Sequence, residues 1–337
     1  ERARGIVTAS AGNHAQAVAY HGARLGLGVT VVMPEHTPLV KRSNTAGFGA
    51  EVRLHGATLY EAMDEARRLE AEGRTFVHAY DDAHVIAGQG TIGLELLEQV
   101  PDATVVVVPI GGGGLIAGIA TAMKERHPGI RIIGVEAAAA ASARASRDAK
   151  SLVALESAET IADGIAVKRV GELTFPIIER LVDDIVVVDE VQIASAVHLL
   201  LERQKLLAEG AAATTIAALA SGAVALRKED VVVAIISGGN IDVTLLERIV
   251  DRGLVADGRL ARLSVTVKDR PGQLGRLTQL VASEGANVVE VSHARAFADI
   301  SVRDVDIALQ LETRGREHMA SVLARLRAEG YVVREDD

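Results

Sequence analysis

The sequence predicts an α/β protein whose parallel sheets are covered by helices, followed by a smaller α+β domain. Three observations carry this prediction. Over the first 250 residues, short apolar runs alternate with amphipathic helical patterns, as in successive β-α-β units. One of these runs, residues 105–110, leads directly into four consecutive glycines. From Arg262 onward the apolar spacing changes to a different order of strands and helices, which indicates a second domain.

The first domain is predicted to continue the alternation of strands and helices along its whole length. The apolar residues of each helical segment recur at helical spacing, and the strands are short apolar runs between them. Helices are expected near residues 13–26, 38–47, 58–72 and 86–99, and from Leu115 onward. Strands are expected near residues 5–9, 28–33, 50–54, 75–78, 104–109, 131–135, 185–188 and 231–236.

The second domain is predicted to follow the order β-α-β-β-α-β. Residues 263–267 alternate as a strand, a turn follows, and residues 273–284 carry apolar side chains at helical spacing. The stretch Asp251–Gly258 is interpreted as a linker, which gives domains at residues 1–255 and 262–337. The remaining predicted elements are strands at 287–297 and 301–311, a helix at 316–328 and a strand at 331–334.

Composition excludes several classes of function. The formal net charge of −9 and the pI of about 5.6 argue against a nucleic-acid partner. Four tyrosines, four phenylalanines and no tryptophan leave few rings on which bases could stack. The absence of cysteine excludes disulfides and thiolate metal sites. No signal-like apolar segment opens the sequence, so a cytoplasmic protein is expected.

Residues 103–123 carry no charge and are long enough to be tested as a membrane span. Pro109 and the glycine tetrad divide this stretch into two short elements, so no membrane partner is expected. The tetrad, Gly111–Gly114, lies between an apolar run and a predicted helix that starts at Leu115. Backbone without Cβ atoms at a helix N-terminus is typical of a phosphate-binding loop.

A nicotinamide-binding fold is one interpretation of this loop. Gly112-x-Gly114-x-x-Ala117 fits the dinucleotide fingerprint, and Glu136 ends the next apolar run at about the expected distance. The other interpretation is a cofactor with a single phosphate. The glycine loop alone does not distinguish the two.

Two further loops bear on that choice, because each follows a predicted strand. Ser10–Gln16 comes after the first apolar run, and Ser237–Asn240 comes after residues 231–236. Loops at the carboxyl ends of parallel strands face one crevice, so three such loops predict one composite site. Each loop alone is a weak signal, since serine, glycine and asparagine are common in turns and helix caps.

Taken together, these motifs resemble the pyridoxal-phosphate enzymes of the tryptophan-synthase-β fold, and in particular threonine ammonia-lyases. The resemblance covers residues 1–255 and implies two α/β lobes with the cofactor between them. It also implies conversion of L-threonine to 2-oxobutanoate and ammonia, and of L-serine to pyruvate more slowly. The motifs that carry it, in chain order, are Ser10–Gln16, Gly111–Leu115, Ala162–Val167 and Ser237–Asn240.

The resemblance implies a role for single residues as well. The cofactor phosphate would accept hydrogen bonds from the backbone of Gly111, Gly112, Gly113, Gly114 and Leu115. The residues expected close to the cofactor ring are Asn13, Gly164, Glu209, Ser237 and Gly238. Those expected at the substrate carboxylate are Ser10, Ala11, Gly12 and His14.

Some of these residues have simpler interpretations that the sequence leaves open. Ser237 could be a helix N-cap, Glu209 a surface charge on a helix, and His14 a structural residue at a helix start. Gln89 falls in a further signature of the family, where a structural role is equally open. If Ser237 faces the ring nitrogen, its neutral hydroxyl favours β-elimination over transamination.

Ala11 bears on the type of reaction. Serine racemases of this fold have a serine directly before the Gly-Asn pair, where this chain has Ala11. Elimination is therefore expected to dominate, with a serine racemase or dehydratase of the same fold as an alternative. Some members also bind a divalent cation through a glutamate and an aspartate six residues apart. Glu136 matches the first and Ser142 replaces the second, so no metal is expected.

The family's cofactor-binding lysine lies in a Ser-Phe-Lys-x-Arg-Gly-like segment ahead of the Ser10 loop. None of the seven lysines has that context, and Lys41 is interpreted as a surface charge. The sequence also lacks an initiator methionine and reaches a strand by residue 5. We therefore expect an N-terminally truncated enzyme with no catalytic lysine in these 337 residues and little activity of its own. The alternative is a non-catalytic amino-acid sensor.

The second domain resembles an ACT domain, a ferredoxin-like module that binds amino acids at dimer interfaces. The resemblance rests on Asp269-Arg270-Pro271-Gly272-x-Leu274 and on Gly285–Val288. It implies an effector such as isoleucine or valine, and a homo-oligomer that is a dimer or tetramer. A purely structural unit is the alternative. The residues expected at the effector are Asp269, Pro271, Gly272, Leu274 and Asn287.

Overall fold

A computed structural model describes residues 4–294 and 303–336 of the chain. The chain forms two compact units that divide between Ile241 and Asp242. The first unit contains two parallel four-stranded sheets, and the second contains one antiparallel sheet. The predicted α/β class with a C-terminal α+β domain is therefore confirmed.

The first sheet has the strand order β3-β2-β1-β4. Residue pairs such as Ile6 and Val29 set the parallel register between its two inner strands. Two small apolar cores, one around Val31 and Met33 and the other around Ala62 and Leu69, hold helices against the sheet. The elements of this lobe are β1 (Ile6–Ala9), α1 (Asn13–Arg24), β2 (Val29–Met33), α2 (Leu39–Gly47), β3 (Glu51–Leu54), α3 (Leu59–Ala71) and β4 (Thr75–Phe76).

The second sheet has the order β7-β6-β5-β8 and forms the second lobe. Residues 105–108 of the strand predicted near 104–109 are completely buried, because helices cover both faces of a parallel sheet. Short turns of 3-10 helix lie at Ala138–Ala140 and Asp163–Ile165, and a π turn lies at Leu200–Gln204. The elements are α4 (Ala83–Gln99), β5 (Val105–Pro109), α5 (Gly114–Arg126), β6 (Arg131–Ala137), α6 (Ser142–Ala149), α7 (Thr174–Leu181), β7 (Asp184–Val188), α8 (Glu190–Leu199), α9 (Gly210–Ala220) and β8 (Val232–Ala234).

The second unit is an antiparallel sheet of order β10-β11-β9-β12 packed against two helices. Leu263 and Val265, alternate residues of the inner strand β9, are fully buried. Residues 295–302, which include parts of two predicted strands, lie outside the described residues. The elements are α10 (Val243–Ala256), β9 (Leu260–Lys268), α11 (Gln273–Ser283), β10 (Asn287–Ala294), β11 (Asp304–Glu312), α12 (Arg316–Ala328) and β12 (Val332–Asp336).

The predicted linker at Asp251–Gly258 is wrong for most of its length, because α10 continues to Ala256. Ile249 is buried on this helix, and Gly258, with a φ of 68°, follows its end. The uncharged stretch 103–123 divides into β5 and α5. Among the residues that the structure describes, no helix combines the length and apolar character needed to cross a membrane.

Side-chain caps begin several helices, but not the two that follow the Ser10 loop and the glycine loop. Thr58 accepts a hydrogen bond from the backbone N–H of Glu61, and Asp82 accepts from that of His84. Such caps contribute about 1 kcal/mol each because they satisfy free N–H groups. In contrast, α1 and α5 begin after Gly12 and Gly113 without a side-chain cap. Their first N–H groups are therefore available to a ligand.

Candidate active site

The carboxylate of Glu209 connects the first and the last of the predicted loops. Asn13, the first residue of α1, donates from Nδ2 to both carboxylate oxygens at 3.0 Å. The backbone N–H of Asn240 donates to Oε2 at 3.1 Å, and its side-chain amide donates to Asn13 Oδ1 at 2.8 Å. Three residues from separate parts of the chain thus form one hydrogen-bonded group, which brings together the first and the last of the three predicted loops.

Glu209 lies in a tight space between two glycines. A Cβ on Gly238 would lie 2.7 Å from Glu209 Oε1, and one on Gly164 would lie 3.2 Å from it. Only 4% of Glu209 is exposed, so the interpretation as a surface charge is wrong. Burial raises the pKa of Glu209, while the hydrogen bonds from Asn13 and Asn240 oppose the change. The predicted ring-side residues Asn13, Gly164, Glu209 and Gly238 are therefore brought together.

The glycine loop presents a row of backbone donors. Gly113 has a φ of 92°, in the left-handed region that favours glycine, and α5 begins at the next residue. Within the described part of the chain, the backbone N–H groups of Gly111–Leu115 donate to no protein acceptor. Gly112, Gly113 and Gly114 are buried. Buried donors without acceptors are costly, and an anion at this helix N-terminus would satisfy them. The loop therefore fits a phosphate group.

The glycine loop also packs closely against Tyr80 and Ile165. A Cβ on Gly112 would lie 2.1 Å from the ring of Tyr80, and one on Gly111 would lie 2.9 Å from Cα of Ile165. Ile165 directly follows Gly164, which packs against Glu209. The consecutive residues Gly164 and Ile165 thus connect the hydrogen-bonded group of Asn13, Glu209 and Asn240 to the glycine loop.

Ser237 lies at the end of the segment that follows β8 and is exposed. It lines a cavity of about 370 Å³ together with Leu115, Gln89 and apolar side chains of α4. It is not a helix N-cap, because α10 is capped by Asp242. Gln89, the residue of the further family signature, therefore shares this cavity with the start of the glycine-loop helix.

The predicted carboxylate-binding loop runs from Ser10 to His14. Ser10 Oγ accepts a hydrogen bond from the N–H of Gly12 at 3.2 Å, and Ala11 supplies no acid or base. His14 Nε2 lies 3.1 Å from the carbonyl oxygen of Val77, so this nitrogen carries the proton. Burial lowers the pKa of His14 and keeps its ring neutral. The structure thus gives His14 a structural contact beside the loop.

Glu136 does not occupy the position that a dinucleotide fold requires. It is completely buried, and its oxygens accept hydrogen bonds from the N–H groups of Ala143 and Arg144 at 2.8 Å each. Burial raises its pKa to about 7. A carboxylate used in this way caps α6 and is not available to a ribose hydroxyl. The nicotinamide interpretation is therefore wrong.

Lys41 is not a simple surface charge either. Its Nζ lies 3.1 Å from Oδ2 of Asp163, the residue before Gly164. The lysine side chain is 28% exposed and lies on α2, in the first lobe, whereas Asp163 belongs to the second. The ion pair thus joins the two lobes beside the Glu209 group.

In the second unit, four of the five predicted effector residues line one cleft. The cleft has a volume of about 380 Å³ and follows the turn between β9 and α11. Asn287 is not among its lining residues; it lies at the start of β10 and donates to Glu312 at 3.3 Å. The residues of interest that line it are Asp269, Pro271, Gly272, Leu274, Arg270 and His293.

The sequence motifs missed several residues of the first site. Asn240 lies in the Ser-Gly-Gly-Asn motif, so its position was available from the sequence. Tyr80, Asp81 and Thr174 contact the glycine loop or its neighbours, and no sequence pattern marks them. His293 of the second unit is likewise unmarked.

Comparison with known proteins gives a consistent result for both units. A family model described as pyridoxal-phosphate dependent enzyme matches residues 1–238, and one described as ACT domain matches residues 257–334. An L-threonine ammonia-lyase of Geobacter sulfurreducens is 49% identical over 332 residues, which are 98% of this chain and 82% of that protein. An L-threonine ammonia-lyase of Thermotoga maritima is 46% identical over an alignment of 339 positions, which covers 99% of this chain and 83% of that protein.

Two solved structures resemble about three quarters of this chain. The processed form of threonine deaminase isoform 2 from Solanum lycopersicum is 40% identical, with a TM-score of 0.69 over 73% of this chain and 72% of that chain. Maize serine racemase is 36% identical, with a TM-score of 0.69 over 75% of this chain and 78% of that chain.

Proposed function

The chain belongs to the family of pyridoxal-phosphate-dependent enzymes and carries an ACT domain, and we propose that it is a threonine ammonia-lyase. The β-hydroxyl of L-threonine leaves with the α-proton as water, and hydrolysis of the resulting C=N bond takes one water molecule back and releases ammonia. The net products are 2-oxobutanoate and ammonia. L-Serine would give pyruvate by the same reaction, more slowly.

One observation supports the cofactor assignment above all others, namely the row of N–H groups at Gly111–Leu115 that donate to no acceptor among residues 4–294 and 303–336. It offers one anion site at one helix N-terminus, which suits a cofactor with a single phosphate. When bound, pyridoxal phosphate withdraws electrons from the α-carbon of an attached amino acid and so makes its α-proton easier to remove. All further steps depend on how the chain positions and protects that group.

The Asn13–Glu209–Asn240 group is held together by its own hydrogen bonds. Each side-chain amide is fixed by a neighbour in the group, so little reorganisation is needed on binding. The buried side chain of Glu209 also fills the space between Gly164 and Gly238. We propose that Asn13 contacts the cofactor ring and that Ser237 faces its nitrogen.

The substrate carboxylate is assigned to the loop at the start of α1. This helix begins after Gly12 without a side-chain cap, so its N-terminal dipole and N–H groups favour an anion. Neutral His14 stabilises the loop through Val77 and adds no competing charge. We propose that Ser10, Ala11 and Gly12 line this pocket.

No lysine of the 337 residues has the expected cofactor-binding context. We therefore propose that this chain alone turns over little threonine. The amino-acid effector at the second unit's cleft, an assembly as a homo-oligomer and a cytoplasmic location are also proposals, and the ACT-domain match supports the first of them.

Serine racemisation is the second candidate, since maize serine racemase shares the fold. Ala11 opposes it, because the side chain supplies no proton donor. Production of D-serine and of pyruvate from L-serine, measured in one assay, distinguishes the two activities.

The proposal is tested with two proteins supplied with pyridoxal phosphate. One is the 337-residue chain, and the other is this chain fused to the part of the Geobacter sulfurreducens relative that the match leaves out. We expect the fusion to form 2-oxobutanoate at a rate on the order of 1–10³ s⁻¹ and the 337-residue chain to form little. No product from either protein would contradict the lyase assignment. Equal rates would contradict the proposal about the lysine.

A further inference from the structure

The peptide bond between Gly112 and Gly113 is held at its carbonyl end. The oxygen of Gly112 accepts hydrogen bonds from Oγ1 of Thr174 at 2.7 Å and from the N–H of Gly171 at 3.1 Å. In a planar trans peptide, the carbonyl oxygen and the following N–H point in opposite directions. The two hydrogen bonds therefore turn the N–H of Gly113 away from Thr174.

This orientation matters because a peptide between two glycines has little steric resistance to rotation. If it turned over, the oxygen of Gly112 would take the place of the N–H of Gly113. A carbonyl dipole directed at a phosphate repels it, whereas an N–H attracts it. The orientation of the Gly112–Gly113 peptide thus decides whether the loop presents an uninterrupted row of N–H donors.

Thr174 is itself firmly placed. It is completely buried and is the first residue of α7. The carboxylate of Asp81 accepts hydrogen bonds from the N–H groups of Glu172, Leu173 and Thr174 at 2.9, 2.8 and 3.3 Å. A Cβ on Gly113 would lie 2.8 Å from Thr174 Oγ1, so the hydroxyl is also in close contact with the loop.

Tyr80, the residue before Asp81, contacts the loop directly. Its ring packs against Gly112, and a Cβ on Gly114 would lie 2.9 Å from its backbone oxygen. Consecutive residues therefore contact the glycine loop and cap the helix that carries Thr174. The loop, the Tyr80–Asp81 pair and the start of α7 behave as one packed unit.

We propose that Thr174 is a positioning residue for the phosphate-binding loop, acting through its hydroxyl on the carbonyl of Gly112. The inference rests on the proposed function, since it assumes that the loop binds the phosphate of pyridoxal phosphate. Thr174 touches neither substrate nor cofactor in this role. Its effect is on the affinity for the phosphate group alone.

The test compares wild-type chain with Thr174→Val and Thr174→Ser. Valine has the shape of threonine without the hydroxyl, and serine keeps the hydroxyl without the methyl group. Equilibrium dissociation constants are measured for pyridoxal phosphate, for pyridoxal, which lacks the phosphate, and for inorganic phosphate. We expect Thr174→Val to bind pyridoxal phosphate and inorganic phosphate about 10-fold more weakly, with unchanged affinity for pyridoxal. Thr174→Ser should bind all three like the wild type.

The outcomes separate the two proposals. If the wild type binds pyridoxal phosphate no better than pyridoxal, the proposed function fails. If the wild type discriminates between them and Thr174→Val does so equally well, only the role of Thr174 is overturned. An equal loss for pyridoxal phosphate and pyridoxal would also overturn it, since this would show general damage. Thr174→Cys, whose thiol is a weak donor, should give an intermediate loss and serves if the valine variant does not fold.

Discussion

Asn13 and Glu209 are 196 positions apart in the chain, and the amide of one donates to both carboxylate oxygens of the other at 3.0 Å. This contact joins the start of α1, in the first lobe, to the start of α9, in the second. It fixes the side chain that we place against the cofactor ring. The site therefore depends on a hydrogen bond that no local sequence pattern encodes.

Replacing Asn13 by alanine should weaken cofactor binding and lower kcat/KM by about 10- to 100-fold. The reason is that a hydrogen bond to a charged group is worth about 1.5–3 kcal/mol and Glu209 would lose a partner in a buried space. Cofactor affinity is measured by titration and kcat/KM on the active fusion protein. Asn44→Ala, at an exposed position of α2, is the control and should leave both quantities unchanged. Equal values for the Asn13 and Asn44 variants would contradict the role of Asn13.

Glu136 should make the stability of the protein depend on pH. Its pKa is about 7 in the folded protein, against an ordinary value of 4.5. The folded state therefore holds the proton more tightly, so the stability that Glu136 contributes is fully present below pH 4.5 and is lost as the pH rises through 7. Between pH 4.5 and 7 the free energy of unfolding should therefore fall as the pH rises, with a slope of up to about 1.4 kcal/mol per pH unit.

Denaturant unfolding of wild type and Glu136→Gln between pH 4.5 and 8 measures this slope. Glutamine does not titrate, so the variant should lack this part of the pH dependence. Glu98→Gln, exposed on α4, should keep it. If the free energy of unfolding of Glu136→Gln changed with pH in parallel with that of the wild type, burial would not raise the pKa of Glu136.

Ala11 should limit racemisation. We expect the active protein to form pyruvate from L-serine faster than it forms D-serine, because Ala11 offers no proton donor. Ala11→Ser should raise the ratio of D-serine to pyruvate, and Ala11→Gly, which adds no hydroxyl, should not. Chiral chromatography of the product mixture gives the ratio. A wild type that produces mainly D-serine would favour the racemase alternative.

Gly272 should be needed for the response to an amino-acid effector. Gly272 and Gly330 have φ values of 88° and 84°, and a Cβ at either would have no atom within 4 Å. Alanine at either position should therefore cost a similar 1–2 kcal/mol, roughly, of backbone strain. Only Gly272 lies in the cleft. Thermal shifts with isoleucine and valine should be lost in Gly272→Ala and kept in Gly330→Ala. If both variants lost the thermal shift, backbone strain alone would explain the loss, and the role of Gly272 at the effector would be contradicted.

Much of the fold could be predicted because its signals are local. Buried strands such as residues 105–108 are continuous apolar runs, and the turn at Pro271–Gly272 is marked by its residue types. The linker prediction failed at Asp251–Gly258 for a physical reason. Polar and glycine residues suggested a loop, but α10, whose buried residue Ile249 lies just before this stretch, continues through it to Ala256.

The site was only partly predictable. Glycine motifs and the Asn13 loop are contiguous in sequence, so their chemistry could be inferred from residue types. Thr174 and Tyr80 act through packing against the glycine loop, which depends on how the elements are arranged in space. Glu136 shows the reverse case, since it fits a nucleotide motif in sequence yet caps α6 in the structure.

A crystal structure of the 337-residue chain with bound pyridoxal phosphate tests the phosphate-binding loop most directly. We expect the phosphate oxygens to lie within about 3.2 Å of backbone nitrogens in Gly111–Leu115, with the oxygen of Gly112 still on Thr174. A phosphate bound elsewhere, with these N–H groups facing water, would contradict the lyase site described for this chain.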